Sequence, residues 1–324
     1  MFRRGRRLRD TAIIRDLVRE NELSVKDFIL PIFVVEGENI KREISSLKGN
    51  YHWSVDRLGE LVKELKETGV RSVIIFGVPE HKDCKGTEAY NENGIVQKAI
   101  RKLRELDDEL YIITDVCMCE YTNHGHCGIL HGKSIDNDET LEYLGKIALS
   151  HAKAGAHMIA PSDMMDGRIG YIRKVLDDNG FKMTPIMSYA AKYASGFYGP
   201  FREAAGSAPQ FGDRKGYQMD PANSREAMLE IEADINEGSD IIMVKPAMSY
   251  LDIVREARNR YDVPLCVYNV SGEYAMVKNA GEAGLIDEKR VALEMLISMK
   301  RAGAKMIMTY YAIEAARWLK EDNN

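Results

Sequence analysis

The sequence predicts an α/β protein whose core is a closed (β/α)8 barrel of the TIM type, preceded by an N-terminal arm. Eight short runs rich in β-branched and other apolar residues recur along the chain, each followed by a longer segment, and several of these segments have apolar residues at helical spacing. Near-continuous apolar strands that alternate with helices are typical of a parallel sheet covered by helices. Eight such units favour closure into a barrel over an open sheet.

The elements can be placed along the chain from these patterns. The predicted strands are 28–34, 72–78, 111–117, 157–161, 183–189, 240–245, 264–270 and 305–310. The predicted helices are 55–66, 95–106, 139–154, 223–237, 250–259 and 288–302. Glycine precedes several strands, as in Thr68-Gly69 and Ala154-Gly155, which fits helix C-caps. We therefore assign residues 1–27 to the arm and 28–324 to the barrel.

One region, at about 195–223, departs from the strand and helix pattern. Its glycines and prolines break it into a long loop, and a loop of that length in a compact domain is usually an active-site lid or else disordered. We interpret it as a lid. No Gly-x-Gly-x-x-Gly motif follows the first strand, which argues against a dinucleotide-binding fold.

Composition narrows the classes of function. The formal net charge of −5 argues against a nucleic-acid partner, because binding phosphates needs a basic face. No apolar run approaches the roughly 18 residues that cross a bilayer, so no membrane association is expected. Free, clustered cysteines agree with a reducing compartment and predict a cytoplasmic location. The first nine residues include five arginines, which could form either a solvated tail or an arm that packs on another subunit.

Three cysteines lie within eleven residues, at Cys117, Cys119 and Cys127, in a chain with five cysteines in all. Thiolates this close together most often bind a metal, and zinc is the usual ion. Three protein ligands leave a coordination position open for water or substrate, as in catalytic zinc sites, whereas structural zinc normally has four ligands. His124 and His126 could supply a fourth ligand. The ligand count favours the open, catalytic site, and the closed site stays an alternative.

Reactive side chains are predicted at the carboxyl ends of six strands, where barrel enzymes have their active sites. They are Asp115, Cys117 and Cys119 at the end of the third strand, Ser162 and Asp163 after the fourth, Lys192 after the fifth, Lys245 at the end of the sixth, Ser271 after the seventh and Tyr310 at the end of the eighth. So many polar residues on one rim are hard to explain as solvated surface.

Lys245 is the most informative single residue, because it ends the apolar run IIMV at 241–244. Desolvation lowers the pKa of an amine toward its neutral, nucleophilic form, which can form a Schiff base with a carbonyl substrate. The alternative is a lysine that is paired in the core or extends to the rim. Lys192 would face the same cavity, and two neighbouring lysines lower each other's pKa.

The lid contributes further cations. Arg202, Arg214 and Lys215 lie on or near it, with Gln218 close behind. Guanidinium groups suit carboxylate binding, although such residues alone are more often surface charges. Beside two candidate Schiff-base lysines, they indicate a substrate with both a carbonyl and a carboxylate.

At this point the chain resembles the porphobilinogen synthase family, also called the 5-aminolevulinate dehydratases, over nearly its whole length. The stretches that carry the resemblance are DVCMCEYTNHGHCG at 115–128, APSDMMDGR at 160–168, residues 189–202, DRKGYQMDPAN at 213–223, MVKP at 243–246 and VSGEY at 270–274. The resemblance implies a (β/α)8 barrel with an N-terminal arm. It also implies a lyase of tetrapyrrole (heme) biosynthesis that condenses two molecules of 5-aminolevulinate into porphobilinogen with loss of water.

Residue roles follow from the resemblance position by position. Lys245 would form the Schiff base with the substrate that becomes the propionate side of the product, and Lys192 with the one that becomes the acetate side. Cys117, Cys119 and Cys127 would bind zinc, and Asp115, Ser162 and Asp163 would assist proton transfers. The residues expected to bind substrate are Arg202, Arg214 and Gln218 for the second molecule, Ser271 and Tyr310 for the carboxylate of the first, and Tyr198 and Phe201 in the same lid stretch.

Two further properties are implied less directly. Some members of the family have aspartate-type residues in place of the cysteines and depend on magnesium, and the three cysteines place this chain with the zinc users. Many members bind an allosteric magnesium ion near an acidic helix, which would involve Glu230 and Asp234 here, although an exposed acidic face explains that pattern equally. The family forms homo-octamers through the arm, and the sequence does not decide between octamer and hexamer.

Two other functions are alternatives to this one. A Schiff-base aldolase or lyase on the same barrel needs one lysine and no metal, so the cysteines and the second lysine count against it. A zinc-stapled binding module predicts a fourth ligand and no reactive amine, and removing the metal would then unfold it.

Overall fold

Eight parallel strands form a nearly closed barrel in the computed structural model, which describes residues 2–321. The strands are Phe28–Val35, Ser72–Val78, Tyr111–Val116, Met158–Pro161, Met187–Lys192, Ile241–Lys245, Leu265–Asn269 and Met306–Thr309. Consecutive strands pair in parallel, and the eighth pairs with the first. The fourth and fifth meet at a bridge between Ile159 and Ile186. The predicted barrel is confirmed.

Helices surround the barrel and bury their apolar faces on the strands. They are Leu58–Thr68, Ile95–Leu106, Asn137–Ala154, Arg168–Asp178, Arg225–Asn236, Leu251–Arg260, Ser271–Glu282, Glu288–Ala302 and Ala312–Glu321. All eight residues of the first strand are buried, as expected for a strand covered by helices outside and by the barrel core inside. None of the described helices is both long enough and apolar enough to cross a membrane.

Helix ends follow the predicted chemistry. The helices at 95–106 and 288–302 have the predicted bounds. Gly69 and Gly155 end their helices with φ values of 83° and 106°, a left-handed conformation that strains residues with a Cβ. The helices Arg168–Asp178, Ser271–Glu282 and Ala312–Glu321 were not predicted.

The prediction for the fifth strand is wrong in position. The strand lies at Met187–Lys192 instead of 183–189, and Met183 is 93% exposed. The apolar residues Met183 and Ile186 suggested a strand, but the strand begins only at Met187 and includes Ser188, Ala190 and Ala191, which interrupt the apolar pattern. Lys192 is therefore the last residue of its strand, whereas we expected it to follow the strand.

Smaller differences affect the rim. Cys117 lies one residue beyond the third strand, which ends at Val116, and Tyr310 lies one residue beyond the eighth, which ends at Thr309. The predicted lid is not loop throughout, because it contains a 3-10 turn at Gly196–Tyr198 and a short helix at Gly199–Ala204.

The segment before the barrel has little regular structure of its own. It contains 3-10 turns at Gly5–Leu8 and Val25–Asp27 and a short helix at Ala12–Leu17. Ile13 and Leu17 on that helix are 74% and 76% exposed. Two small antiparallel pairs complete the fold, Lys41–Glu43 with Tyr51–Ser54 beside the first strand, and Ile129–His131 with Ser134–Asp136 after the cysteines.

Candidate active site

The three clustered cysteines converge on one point at the rim. The sulfur atoms of Cys117, Cys119 and Cys127 all lie within 4.8 Å of one another, and those of Cys117 and Cys119 are 3.3 Å apart. A tetrahedral zinc with Zn–S bonds of about 2.3 Å separates its sulfurs by roughly 3.8 Å. All three residues are buried. The set therefore fits a soft divalent metal in both donor type and spacing.

The two histidines of this loop do not join the cluster. Among the residues the structure describes, the candidate metal ligands are the three cysteines alone. Both ring nitrogens of His126 have other neighbours, with Nδ1 at 3.1 Å from the Tyr217 hydroxyl and Nε2 at 3.0 Å from the Phe211 carbonyl oxygen. His124 accepts a hydrogen bond from the His126 backbone N–H through Nδ1, at 3.1 Å. The geometry thus supports three protein ligands and an open position.

The three thiols influence one another's ionisation. Hydrogen bonds from Cys117 and Cys119 hold the pKa of the Cys127 thiol well below its usual value, whereas burial raises the pKa of Cys117. Ionising all three without a cation would place like charges in contact inside the protein. A bound metal ion removes that difficulty, because coordinating thiols are deprotonated.

Lys245 is enclosed at the end of the sixth strand. It is only 4% exposed, and its ammonium nitrogen lies 4.4 Å from the ring centre of Tyr268 and 5.0–5.1 Å from those of Tyr189, Tyr198 and Phe201. Desolvation, followed by repulsion from Lys192, lowers the pKa of Lys245 to about 7. The alternative of a salt-bridged core lysine is not supported, because none of the ion pairs among the described residues involves Lys245.

Lys192 faces the same cavity from the neighbouring strand. It is 4% exposed, and its ammonium group donates a hydrogen bond to the Ser162 carbonyl oxygen. The cavity is lined by Phe76, Cys119, Glu120, Ser162, Lys192, Tyr198, Phe201, Arg202, Arg214 and Lys245. Both lysines, one metal-ligand candidate and four lid residues therefore share one space.

The carboxylates predicted beside this cavity are buried. Burial raises the pKa of Asp115 well above its ordinary value, and its Oδ1 has no hydrogen-bond partner among the described residues. Burial also raises the pKa of Asp163 to about 6, against the opposing effect of Arg168. Asp163 accepts a hydrogen bond from the Met165 backbone N–H at 2.8 Å. Protonated and ionised forms of Asp163 are therefore both accessible near neutral pH.

The lid presents polar atoms that have no protein partner. Within the described part of the chain, Nε of Arg202, Nε of Arg214 and both amide atoms of Gln218 are buried without a hydrogen bond. Buried polar groups are rarely left unpaired, so these atoms indicate sites for a ligand. Arg202 and Arg214 line the cavity of the two lysines, whereas Gln218 lines the separate cavity that also includes Glu230. Arg202 Nε, Arg214 Nε and the Gln218 amide nitrogen are donors, which suit a carboxylate.

Ser271 and Tyr310 lie outside the residues that line this cavity. The Ser271 hydroxyl accepts a hydrogen bond from the Phe201 backbone N–H at 3.0 Å, so it holds the lid helix. Tyr310 is buried, and its hydroxyl lies 2.9 Å from that of Tyr268, which contacts Lys245. Ser271 therefore contacts Phe201, which lines the cavity, and Tyr310 contacts Tyr268, which packs on Lys245, but neither residue lines the cavity itself.

Glu230 lies apart from the cysteines and lysines. It lines a separate cavity together with Asp166, Glu226 and Lys215, and burial raises its pKa. Both carboxylate oxygens of Asp234 accept hydrogen bonds from Arg168, at 2.9 and 3.0 Å. Asp234 is therefore occupied by a buried ion pair, and the structure does not bring Glu230 into the active-site cavity.

Sequence reasoning missed several members of the site. Glu120 and Phe76 line the cavity, and Tyr189 and Tyr268 contact Lys245, but none was assigned a role. Glu120 could have been found, because it directly follows Cys119. The two tyrosines precede rim positions on the fifth and seventh strands, and their inward direction depends on the true register of those strands.

Comparison with protein families gives a match over almost the entire chain. The model of the family described as delta-aminolevulinic acid dehydratase matches residues 2–318. Curated relatives include the delta-aminolevulinic acid dehydratase of Bacillus subtilis, 55% identical over 320 residues, which are 99% of this chain and 99% of that protein. That of Staphylococcus aureus is 53% identical over 320 residues, which are 98% and 99% of the two chains.

A solved structure agrees with this. The delta-aminolevulinic acid dehydratase (porphobilinogen synthase) of Toxoplasma gondii, solved in complex with the reaction product porphobilinogen, superposes with a TM-score of 0.97 at 43% identity. The match covers 99% of this chain and 93% of that one.

Proposed function

This chain belongs to the delta-aminolevulinic acid dehydratase family, and from that membership we propose that it condenses two molecules of 5-aminolevulinate into porphobilinogen with release of water. The structural observation that carries the proposal is the pair of buried lysines that share one cavity with a cysteine of the metal-binding cluster. An aldolase needs one Schiff-base lysine, so a second buried lysine in the same cavity favours a reaction in which both substrate ketones are captured.

Lys245 captures the first substrate. Its amine attacks the ketone carbon, and loss of water gives an imine with the substrate carbon skeleton attached to Nζ. The surrounding rings of Tyr189, Tyr198, Phe201 and Tyr268 exclude water, which keeps a fraction of the amine neutral and protects the imine from hydrolysis.

Lys192 captures the second substrate from the adjacent strand. Its hydrogen bond to the Ser162 carbonyl oxygen directs the ammonium group toward the fourth strand and the cysteine side of the cavity. The two captured carbonyl carbons are thereby held in one space, which turns a reaction between two molecules into a reaction within one complex.

We assign zinc to Cys117, Cys119 and Cys127. Three thiolates suit zinc, which, when bound, supplies a Lewis acid with an open position for the amine or hydroxyl of the second substrate. Asp115 lies on the third strand, and Ser162 and Asp163 directly follow the fourth. The three are assigned to the proton transfers, because burial raises the pKa of both carboxylates.

The substrate carboxylates are assigned to the lid and to the far rim. Arg202, Arg214 and Gln218 offer unpaired donors to the second substrate, and Tyr198 and Phe201 cover the first. Ser271 and Tyr310 are assigned to the carboxylate of the first substrate. That assignment requires the Ser271 hydroxyl to turn its proton from the Phe197 carbonyl oxygen to the carboxylate, while it can still accept from the Phe201 backbone N–H.

Three further assignments concern the protein as a whole. Glu230 binds an allosteric magnesium ion in its own cavity, supported by the neighbouring Asp166 and Glu226. Residues 1–27 form an arm that builds a homo-oligomer, an octamer by family resemblance, supported by the exposed Ile13 and Leu17. The location is cytoplasmic, supported by five cysteines that are all free among the described residues.

The test is pyrrole formation from 5-aminolevulinate by the purified protein, after treatment with a chelator and again after zinc is restored. Loss of product with the chelator and recovery with zinc supports the zinc-dependent condensation. Product formation that is indifferent to chelation contradicts the zinc assignment. Absence of product under reducing conditions with zinc present contradicts the activity.

A further inference from the structure

The loop between the second and third cysteines is bound to the lid at several points. The Gln210 backbone N–H donates to the His124 carbonyl oxygen at 3.0 Å, and the Arg214 guanidinium donates to the Gly125 carbonyl oxygen at 3.0 Å. The His126 ring reaches the Phe211 carbonyl oxygen and the Tyr217 hydroxyl. Three consecutive loop residues thus contact lid residues 210–217.

His126 makes the side-chain part of this connection. The Phe211 carbonyl oxygen can only accept, so Nε2 carries the proton, and Nδ1 of the neutral ring accepts from the Tyr217 hydroxyl. The ring also packs 4.8 Å from that of Phe211. The Thr122 hydroxyl donates to the His126 carbonyl oxygen at 2.9 Å, which fixes the backbone from the loop side.

Gly125 lets the two segments approach closely. A Cβ at this position would lie 2.4 Å from the Ala208 carbonyl oxygen, and the residue has a φ of +71°. The contact between loop and lid is therefore close at the backbone level and requires glycine. A displacement of the loop would be transmitted directly to the lid.

The lid segment that is held in this way carries the donors for substrate. Arg214 and Gln218 follow Phe211 within seven residues and have unpaired buried atoms. Their placement depends on residues 207–217, which consist of turns without a helix or strand to fix them. Fixing the cysteine loop therefore fixes the substrate donors.

We propose that His126 is a positioning residue that links metal binding by the adjacent Cys127 to closure of the lid. The inference rests on the metal site proposed above and goes beyond it. When the cysteines hold a metal ion, the loop has one conformation and His126 docks the lid on it. Without metal the loop loosens and the lid with it. Such linkage is reciprocal. Substrate bound under the lid therefore raises the affinity for the metal by the same factor by which the metal raises the affinity for substrate.

The experiment compares backbone hydrogen exchange of lid residues 207–217 in the zinc-loaded and chelator-treated full-length protein. The Gln210 amide donates to the His124 carbonyl oxygen in the loop between the second and third cysteines. Zinc should slow hydrogen exchange of this amide by at least about ten-fold, which is the effect expected when two or three hydrogen bonds are stabilised together. Zinc content is measured on the same samples.

The decisive variant is His126→Phe, which keeps a flat ring and removes both polar contacts. It should retain zinc at the wild-type stoichiometry while losing most of the zinc-dependent protection of the lid, and KM should rise about ten-fold with a smaller change in kcat. Tyr217→Phe removes the hydroxyl contact to His126 and also the hydroxyl's contact to the Cys127 thiol, so its zinc content is measured together with an expected loss of protection of about three-fold. His131→Phe is the control, because His131 is exposed and contacts Glu139 rather than the lid.

Several results would overturn the proposal. Full zinc-dependent protection in His126→Phe would show that the histidine does not hold the lid. If that variant does not fold, full protection in His126→Leu, which also lacks both polar contacts, has the same meaning. Folded His126→Phe that holds no zinc even at saturating zinc would place the histidine in the metal site itself and overturn its role as a positioning residue. If the wild-type protein binds zinc and hydrogen exchange of the lid does not change, only the linkage is refuted. If the wild-type protein binds no zinc, the metal site is refuted as well.

Discussion

Lys192 and Lys245 occupy paired positions on adjacent parallel strands, at the last residue of each strand. Side chains at paired positions of neighbouring strands project to the same side of a sheet, so the two ammonium groups enter the barrel together. Each is 4% exposed. Burial, followed by repulsion from Lys192, lowers the pKa of Lys245 to about 7.

Substitution Lys245→Met should abolish the reaction while leaving the fold intact. Methionine matches the lysine stem in size and suits the aromatic surroundings, so the loss is chemical. We expect turnover to fall by at least about a thousand-fold, because no Schiff base forms at this position. Borohydride reduction with 5-aminolevulinate, read by mass spectrometry of the peptide that contains residue 245, should give no adduct. Turnover near the wild-type rate would refute the assigned role.

The pH dependence of Schiff-base formation should report the pKa of Lys245. Trapping at this residue should rise as pH passes through about 7, because only the neutral amine attacks the carbonyl. Lys192→Met removes a positive charge next to Lys245. Because the protonated form of Lys245 is then less disfavoured, the pKa of Lys245 should rise. The trapping profile of that variant should therefore shift to higher pH. An unchanged profile would mean that the two amines do not interact.

Substitution Cys127→Ala should lower zinc content and activity together. Two thiolates remain, and loss of one of three protein ligands weakens a site that has no fourth. Metal analysis after dialysis against a weak chelator measures the effect. Cys84→Ala is the matched control, because Cys84 is exposed and outside the cluster, and it should keep its zinc. Wild-type zinc content in Cys127→Ala would show that the ligand set is wrong.

Arg202 should act on substrate affinity more than on stability. Its Nε has no partner in the described structure, so Arg202→Met breaks no hydrogen bond at that atom. KM should rise about ten- to a hundred-fold, the scale of one lost charge-assisted contact, while the melting temperature changes little. Arg214→Met should differ, because Arg214 also holds the Ser207 and Gly125 carbonyl oxygens, and should loosen the lid. Steady-state kinetics and thermal melts distinguish the two variants.

The Arg168–Asp234 pair should contribute strongly to stability. Both side chains are 3% exposed and form two hydrogen bonds, so Arg168→Leu leaves a buried carboxylate without its partner. The free energy of unfolding should fall by about 3–5 kcal/mol. Arg168→Leu combined with Asp234→Leu should recover part of that loss, as measured by urea denaturation. A double variant that is less stable than Arg168→Leu would contradict this account.

The barrel could be predicted from the sequence because its strands are buried on both faces. A strand such as Phe28–Val35 must be apolar throughout, and this makes it visible as a continuous run. The fifth strand breaks this rule, since it runs through Ser188, Ala190 and Ala191 to Lys192. Small and polar residues interrupt the apolar run there, so the strand that carries Lys192 was the one placed wrongly.

The chemistry of the site was also largely present in the sequence. The spacing of Cys117, Cys119 and Cys127 predicts a shared ligand, because three thiols so close in a loop can converge without any other part of the chain. Lys245 could be identified as a candidate site residue because lysine is rarely buried, so a lysine at the end of an apolar strand indicates a specific role.

Tertiary structure alone decided which groups meet. Three features depend on contacts between residues far apart in the chain: Lys192 pairs with Lys245, Glu120 and Phe76 line their cavity, and His126 reaches the lid instead of the cysteine cluster. Local patterns encode burial and turn chemistry, which act over a few residues. Register, lid docking and the partner of a histidine depend on how whole segments pack, and that is fixed only when the barrel closes.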